Sequence, residues 1–322
     1  MTRHLLTLDS LGRDGIRSNL ELAAQFKTLK GQARQAVGGG RLGLIFDKPS
    51  TRTRVSFEAA AFGLGMLPIT LRPDELQLGR GETIADTARV LSRYLSAIAI
   101  RTFEQSRVEE LAHYATIPVI NALTDDHHPC QALADVMTLR EEFGDLAGIR
   151  VAFIGDGNNV CHSLIQAAAY LGFTLAISTP EGFEPKPEIV EAARAQSDGH
   201  GGAIELGHDV REAVRGADAV YTDVWASMGQ EKEREERARL FAGYRVDTAL
   251  MALASTRAIF LHCLPAHRGD EVTDEVIDGP QSRVWDEAEN RWYTEQALLY
   301  TCLLYTSPSP RDRTRSRMPS SA

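Results

Sequence analysis

Two arginines stand where the start of a helix least favours them, in Phe46-Asp47-Lys48-Pro49-Ser50-Thr51-Arg52-Thr53-Arg54. The apolar run 42–46 reads as a buried strand, and Val55, Phe57, Ala60, Ala61 and Leu64 follow at helical spacing, so the segment is a strand, a turn and a helix start. Ser50 and Thr51 are good N-cap types. They put Arg52 and Arg54 in the first turn, where the helix dipole opposes each cation by roughly 0.3–1 kcal/mol. An anion held jointly by backbone N–H groups, hydroxyls and guanidinium forks offsets that cost. The alternative is that both arginines turn to solvent or pair with Asp47 and Glu58. The segment lacks the Gly-rich run and Gly-Lys-Ser/Thr of a P-loop, so the expected ligand is a small phosphorylated or carboxylated molecule, not a nucleotide.

These residues need a scaffold, and 322 residues suit two domains better than one. The hydrophobic fraction of 43% is ample for two cores. A net charge of -9 argues against nucleic acid or an anionic membrane as partner, which makes the positive charge around residue 52 a local feature. No apolar run is long enough to span a bilayer and Met1-Thr2-Arg3-His4 leads into no signal-peptide core, so a cytoplasmic protein is expected. Cys130, Cys161, Cys263 and Cys302 are scattered singly, without metal-ligand spacing, and read as reduced thiols.

Apolar strands at 42–46, 67–71, 97–100 and 117–120 alternate with helical stretches, and the pattern resumes at 151–154, 174–177, 203–206, 219–222, 259–262 and a short 284–285. That is the α/β signature of parallel sheets covered by helices. A helix over 128–143, ended by Gly144 and Gly148, places a domain boundary near residue 145. In open α/β sheets ligands bind at the carboxyl ends of the strands. Those ends supply Ser50 to Arg54, Arg101, the turn Asp125-Asp126-His127-His128-Pro129-Cys130-Gln131, Asn158 and Asn159, Asp223, and His262-Cys263-Leu264-Pro265. From about Leu304 the text becomes a Ser/Pro/Arg mixture without hydrophobic period, interrupting a helix over 287–303; residues 304–322 are expected to be a disordered, non-native tail.

Four segments, Ser50-Thr51-Arg52-Thr53-Arg54, His128-Pro129-Cys130-Gln131, Asp223-Val224-Trp225-Ala226-Ser227-Met228-Gly229 and His262-Cys263-Leu264-Pro265, together resemble the aspartate/ornithine carbamoyltransferase family over roughly residues 2–303. The last two resemble the family's ornithine-specific form. The resemblance implies two domains, each a mostly parallel sheet flanked by helices, joined by two interdomain helices. A carbamoyl-phosphate-binding domain would span 1–143, with the helix 287–303 packing back on it, and an ornithine-binding domain 144–286. It also implies transfer of a carbamoyl group from carbamoyl phosphate to the side-chain amine of L-ornithine, in arginine biosynthesis or, reversed, in arginine catabolism, with no cofactor and no metal.

Carbamoyl phosphate carries a dianionic phosphate beside an electrophilic carbonyl, so its site needs fixed cations and N–H donors at one end and neutral donors at the other. By resemblance Ser50, Thr51, Arg52 and Thr53 cradle the phosphate, while Arg101 and His128 aim donors at the carbonyl oxygen. Gln131 and the backbone near Leu264 hold the carbamoyl amide. Arg291 returns to the same end from the closing helix, and Gln77 reaches the phosphate of a neighbouring subunit, implying a homotrimer with shared sites. Asp223 pairs with the ornithine α-ammonium, Asn159 binds its carboxylate, and Ser227 and Met228 close over it with Gly229 as hinge. Cys263 contacts the reacting amine and helps remove its proton. Taken alone, Cys263 reads equally as a small buried thiol, His128 as a capping histidine and Arg101 as a surface ion pair. His127 is expected to be an exposed loop residue.

Three other readings compete. Gly155-Asp156-Gly157-Asn158-Asn159-Val160 opens a helix after a strand, but Val160 stands where a dinucleotide fingerprint needs glycine and the strand 174–178 ends in serine, not an acid. The amine could be N-acetylornithine, putrescine or aspartate, against which Asp223 is the discriminator. A catalytically silent paralogue would also keep this fold, although no matched signature position is substituted.

Overall fold

The computed structural model describes residues 4–31, 39–72, 81–197, 201–226 and 234–306. The first half runs α1 Gly12–Thr28, β1 Arg41–Phe46, α2 Thr51–Gly63, β2 Leu67–Leu71, α3 Ile84–Tyr94, β3 Ala97–Arg101, α4 Gln105–Tyr114, β4 Val119–Leu123 and α5 Pro129–Phe143. The second continues with β5 Arg150–Ile154, α6 Asn159–Leu171, β6 Thr174–Ser178, α7 Pro187–Ser197, β7 Ile204–Gly207, α8 Val210–Val214, β8 Ala219–Thr222, α9 Arg234–Leu240, α10 Thr248–Met251, β9 Ile259–Leu261, α11 Asp274–Ile277 and α12 Val284–Thr306. Every pairing between these strands is parallel, in two sheets of order β2-β1-β3-β4 and β7-β6-β5-β8-β9.

Each order reverses once, between β1 and β3 in the first sheet and between β5 and β8 in the second. A reversal splays the loops on either side and opens a crevice at the carboxyl ends. The strand ends and loops at these two crevices carry Ser50 and Arg101 from one sheet, and Asn158 and Asp223 from the other. Local capping sets the helix starts that follow. The Ser50 hydroxyl accepts from the Thr53 N–H at 3.3 Å, Pro129 occupies the first turn of α5, and the Asn158 side chain accepts from the N–H groups of Val160 and Cys161 at 3.0 and 3.1 Å.

The chain leaves the first half through α5 and returns through α12, which packs against α1, α2 and α5. One apolar core runs through both connections, joining Leu44 and Phe57 to Val136, Phe153, Leu261, Leu298 and Leu299. Packing therefore continues well past Arg291.

The strand expected at 284–285 is instead the first turn of α12, and just before it the chain meets the sheet through an isolated bridge from Phe260 to Ser282. Val284, Glu287, Arg291 and Thr294 share the buried face of this helix. Charged residues at inward positions hid its period from a reading that takes apolar spacing as the signal. The helix also runs three residues beyond the expected end at 303, to Thr306, so Leu304 is helical and not part of a tail. Residues 307–322 lie outside those described, as do Gln77, Ser227, Met228 and Gly229.

Candidate active site

The two crevices face each other across a cleft of about 800 Å³. Ser50, Arg52, Thr53, Arg101, His128 and Gln131 line it from the first half, Asn159, Asp223, Cys263 and Leu264 from the second, and Arg291 from α12. Two of the candidate phosphate ligands behave otherwise. Thr51 is exposed at the start of α2 and does not line the cleft, and Arg54 lies 3.3 Å from Glu58 one turn on. For Arg54 the ion-pair alternative holds, because a helical i, i+4 partner was within reach.

Three guanidinium groups converge at one end. Thr53 Oγ1 accepts from Arg101 Nη1 at 3.5 Å and from Arg291 Nη2 at 3.2 Å. Arg291 alone has an acid, Glu295, at 2.7 Å. No carboxylate among the described residues pairs with Arg52 or Arg101. Burial, reinforced by repulsion from Arg291 and Arg52, brings Arg101 down to about 10, and burial likewise lowers Arg52. Both stay charged at neutral pH. Arg101 is 8% exposed, and its Nε has no partner among the described residues. Cations held together at such cost form a pocket shaped for an anion.

His128, the N-cap of α5, donates its backbone N–H to Ser163 Oγ at 2.8 Å. Burial, then the nearby Arg291 and Arg101, pushes its imidazole well below the usual histidine range. The ring is therefore neutral, a donor that adds no charge. Gln131 gives its oxygen to Arg291 Nη1 at 2.8 Å.

The opposite wall is acidic. Asp223, 6% exposed, accepts from Asn158 Nδ2 at 2.7 Å through one oxygen and from the Cys263 thiol at 3.0 Å through the other. Burial first, then Asp223, pushes the Cys263 thiol well up, so sulfur rests as S–H. Asn159 donates to the Thr124 carbonyl at 2.5 Å, tying α6 to the first half and leaving one amide hydrogen for a ligand. Ligand atoms of Asp223, His262 and Cys263 lie within 4.8 Å of one another. The His262 ring is engaged elsewhere, with Nδ1 accepting from the Leu264 N–H at 2.9 Å and Nε2 facing Glu271 at 3.2 Å. It thereby holds Leu264 in its left-handed conformation, φ 58°, and does not serve as an open metal ligand.

Sequence reasoning passed over several groups. Lys48 lines the cleft, largely buried, paired with Asp125 and 4.4 Å from the Phe103 ring centre. His127, expected in solvent, is 8% exposed beside the His162 ring, because α6 of the second half covers it. His162 accepts from the Lys186 N–H at 3.0 Å, so its other nitrogen carries the hydrogen that meets the Asp126 carbonyl at 2.9 Å. Only the strand-end position hinted at these roles.

Burial brings His162 down to about 4. A depressed histidine stabilises the fold fully above its unfolded value of about 6.5, and that stabilisation disappears as pH falls through 4. Buried acids elsewhere titrate with the opposite sign, so the test is a difference. In urea unfolding, the stability gap between wild type and His162→Gln should narrow by roughly 2–3 kcal/mol from pH 7.5 to pH 4. A pH-independent gap would rule out the buried neutral imidazole.

Fold and site together define a two-domain α/β protein with an anion pocket and an acid–thiol pocket meeting in an interdomain cleft, the layout of a two-substrate group-transfer class. Residues 3–141 match the description "Aspartate/ornithine carbamoyltransferase, carbamoyl-P binding domain", and residues 147–302 its "Asp/Orn binding domain". The chain belongs to the aspartate/ornithine carbamoyltransferase family. It is similar to the ornithine carbamoyltransferase of Gloeobacter violaceus, 52% identical over 92% of this chain and 94% of that one. A Pyrococcus furiosus relative described as "Ornithine carbamoyltransferase, anabolic" is 51% identical, covering 92% of this chain and 95% of that one. A solved ornithine carbamoyltransferase structure from P. furiosus superposes with a TM-score of 0.89 over 92% of this chain and 96% of that one.

Proposed function

We propose that the cleft transfers the carbamoyl group of carbamoyl phosphate to the side-chain amine of L-ornithine, giving L-citrulline and phosphate. The observation that carries this reading is the convergence of Arg52, Arg101 and Arg291 opposite the Asp223–Cys263 pair. The phosphate lies at the start of α2, held by Ser50, Arg52, Thr53 and backbone N–H groups, with Thr51 contributing only its main chain. Arg101 and neutral His128 donate to the carbonyl oxygen as it gains charge, and Gln131 with the Leu264 carbonyl accepts from the carbamoyl amide. Asn159 meets the ornithine carboxylate and Asp223 its α-ammonium.

The amine nitrogen attacks the carbonyl carbon, the bond to the phosphate oxygen breaks, and the amine loses a proton. Cys263 is a thiol at rest, so it takes that proton only as its own passes to Asp223. Gln77 from a neighbouring subunit, and Ser227 and Met228 over the ornithine, complete the site.

We place the domain boundary between Phe143 and Gly144. A homotrimer is supported by the exposed Val55 and Phe62 of α2 and Leu67 of β2, the strand at one end of the first sheet among the described residues. The biosynthetic direction is supported by the relative described as anabolic. A cytoplasmic location agrees with the observation that no described helix is long and apolar enough to cross a membrane.

Citrulline-type product formation from carbamoyl phosphate, assayed separately with ornithine, N-acetylornithine, putrescine and aspartate, tests the reading. Ornithine alone should turn over, and equal rates with another amine would overturn the assignment. At saturating ornithine, kcat should rise with pH while the bound side-chain amine loses its proton. A profile flat from neutral to alkaline pH removes attack by the free amine.

A further inference from the structure

Beneath the cleft lies a buried group that the transfer chemistry leaves unused. Asp135 in α5 and Glu287 in α12 are 0% and 1% exposed, and their carboxyl groups converge on the same two donors, the Gln131 amide and the Tyr221 hydroxyl. Gln131 Nε2 donates one hydrogen to Asp135 Oδ1 and the other to Glu287 Oε1, both at 2.8 Å. Its oxygen faces the other way, to Arg291. Flipping this amide would set its oxygen against two acids and its NH2 against a guanidinium, so the network permits one orientation.

We propose that Asp135 and Glu287 are positioning residues for Gln131, holding its NH2 inward so that its oxygen is presented to the cleft beside Arg291. The inference rests on the carbamoyl-transfer reading, in which the second lone pair of that oxygen receives a carbamoyl N–H. Burial pushes both carboxyls up, and two acids so close cannot both ionise, so one proton is shared between them. The groups facing the pair are Gln131 from α5, Arg291 from α12, the Tyr221 hydroxyl at 3.3 Å from Glu287 and 3.5 Å from Asp135, and the His262 N–H at 3.0 Å from Glu287 Oε2. Burial, with Asp135, Glu287, Cys263 and Asp223 nearby, pushes the Tyr221 hydroxyl well up, so it stays protonated. Both interdomain helices and the second sheet thus meet at the acid pair, which makes the orientation of Gln131 depend on how the two halves are joined.

The test separates alignment of the carbamoyl amide from general damage. Asp135→Leu should raise KM for carbamoyl phosphate roughly tenfold, about the worth of one well-aligned hydrogen bond, while inhibition by inorganic phosphate, which has no carbamoyl amide, stays within twofold. Asp135→Asn keeps an acceptor oxygen and should restore most of the affinity. Adding Asp135→Leu to Gln131→Ala should cause no further loss, because the acid acts through the amide. Additive losses, or an equal weakening of phosphate, would overturn the proposal. Should Asp135→Leu fail to fold, infrared spectra of the wild-type protein decide: a protonated carboxyl band at neutral pH that disappears in Glu287→Gln supports the shared proton, and its absence refutes it. No product from wild type would overturn the transfer reading and this inference with it.

Discussion

Arg101→Leu should lower kcat by about 10²- to 10³-fold, the loss typical when one preorganised donor to a developing oxyanion is removed. Arg101 closes β3 at the crevice where the first sheet reverses, and among the described residues its guanidinium hydrogen-bonds only to the Thr53 hydroxyl. With no carboxylate partner among the described residues, its charge is free to act on a ligand. In the empty protein that charge is a burden, since burial, Arg291 and Arg52 all oppose it. The substitution should therefore raise the melting temperature of the ligand-free protein while abolishing most turnover. Inhibition by inorganic phosphate should persist, because Arg52, Arg291 and the start of α2 remain. A kcat within fivefold of wild type would remove Arg101 from the chemistry, and a lowered melting temperature would contradict the mutual repulsion.

Asp223→Asn should reduce kcat/KM for ornithine by about 10²- to 10³-fold, the cost of leaving a charge unpaired in a buried site. The amide keeps the shape of the carboxylate and an oxygen for Asn158, so the wall should stay in place. It lacks the charge to pair with an ammonium and the basicity to accept a proton from Cys263. Steady-state kinetics with ornithine varied at two pH values measures both deficits, and KM for carbamoyl phosphate should hardly move. An unchanged KM for ornithine would place the amino acid elsewhere.

Much of this geometry was legible in the chain because strand ends are local. An apolar run of four or five residues marks a buried strand, and in parallel sheets the next few residues fall at the crevice; Ser50, Arg101, Asn158, Asp223 and Cys263 were all found this way. The N-caps at Ser50 and Asn158 are likewise decided within four residues. What failed was the reading of positions where a distant element supplies the surroundings. α6 turns His127 from a loop residue into a buried one, and Glu58 one helical turn away draws off Arg54. Charges on the inner face of α12 hid its true start at Val284 because the partner of Glu287 and Arg291, Gln131, lies 156 and 160 residues earlier.

The sequence by itself determined the two parallel sheets, the strand ends from which the site is assembled, the family resemblance and the chemical types present. Those follow from short-range periodicity, capping and residue identity. Only the tertiary structure decided which arginines face the cleft, that Cys263 and Asp223 form one pair, and that the Gln131 amide is held by two buried acids. These depend on groups far apart in the chain being brought together and stripped of water. Burial then sets the charge each group can carry, which no local pattern of residues encodes.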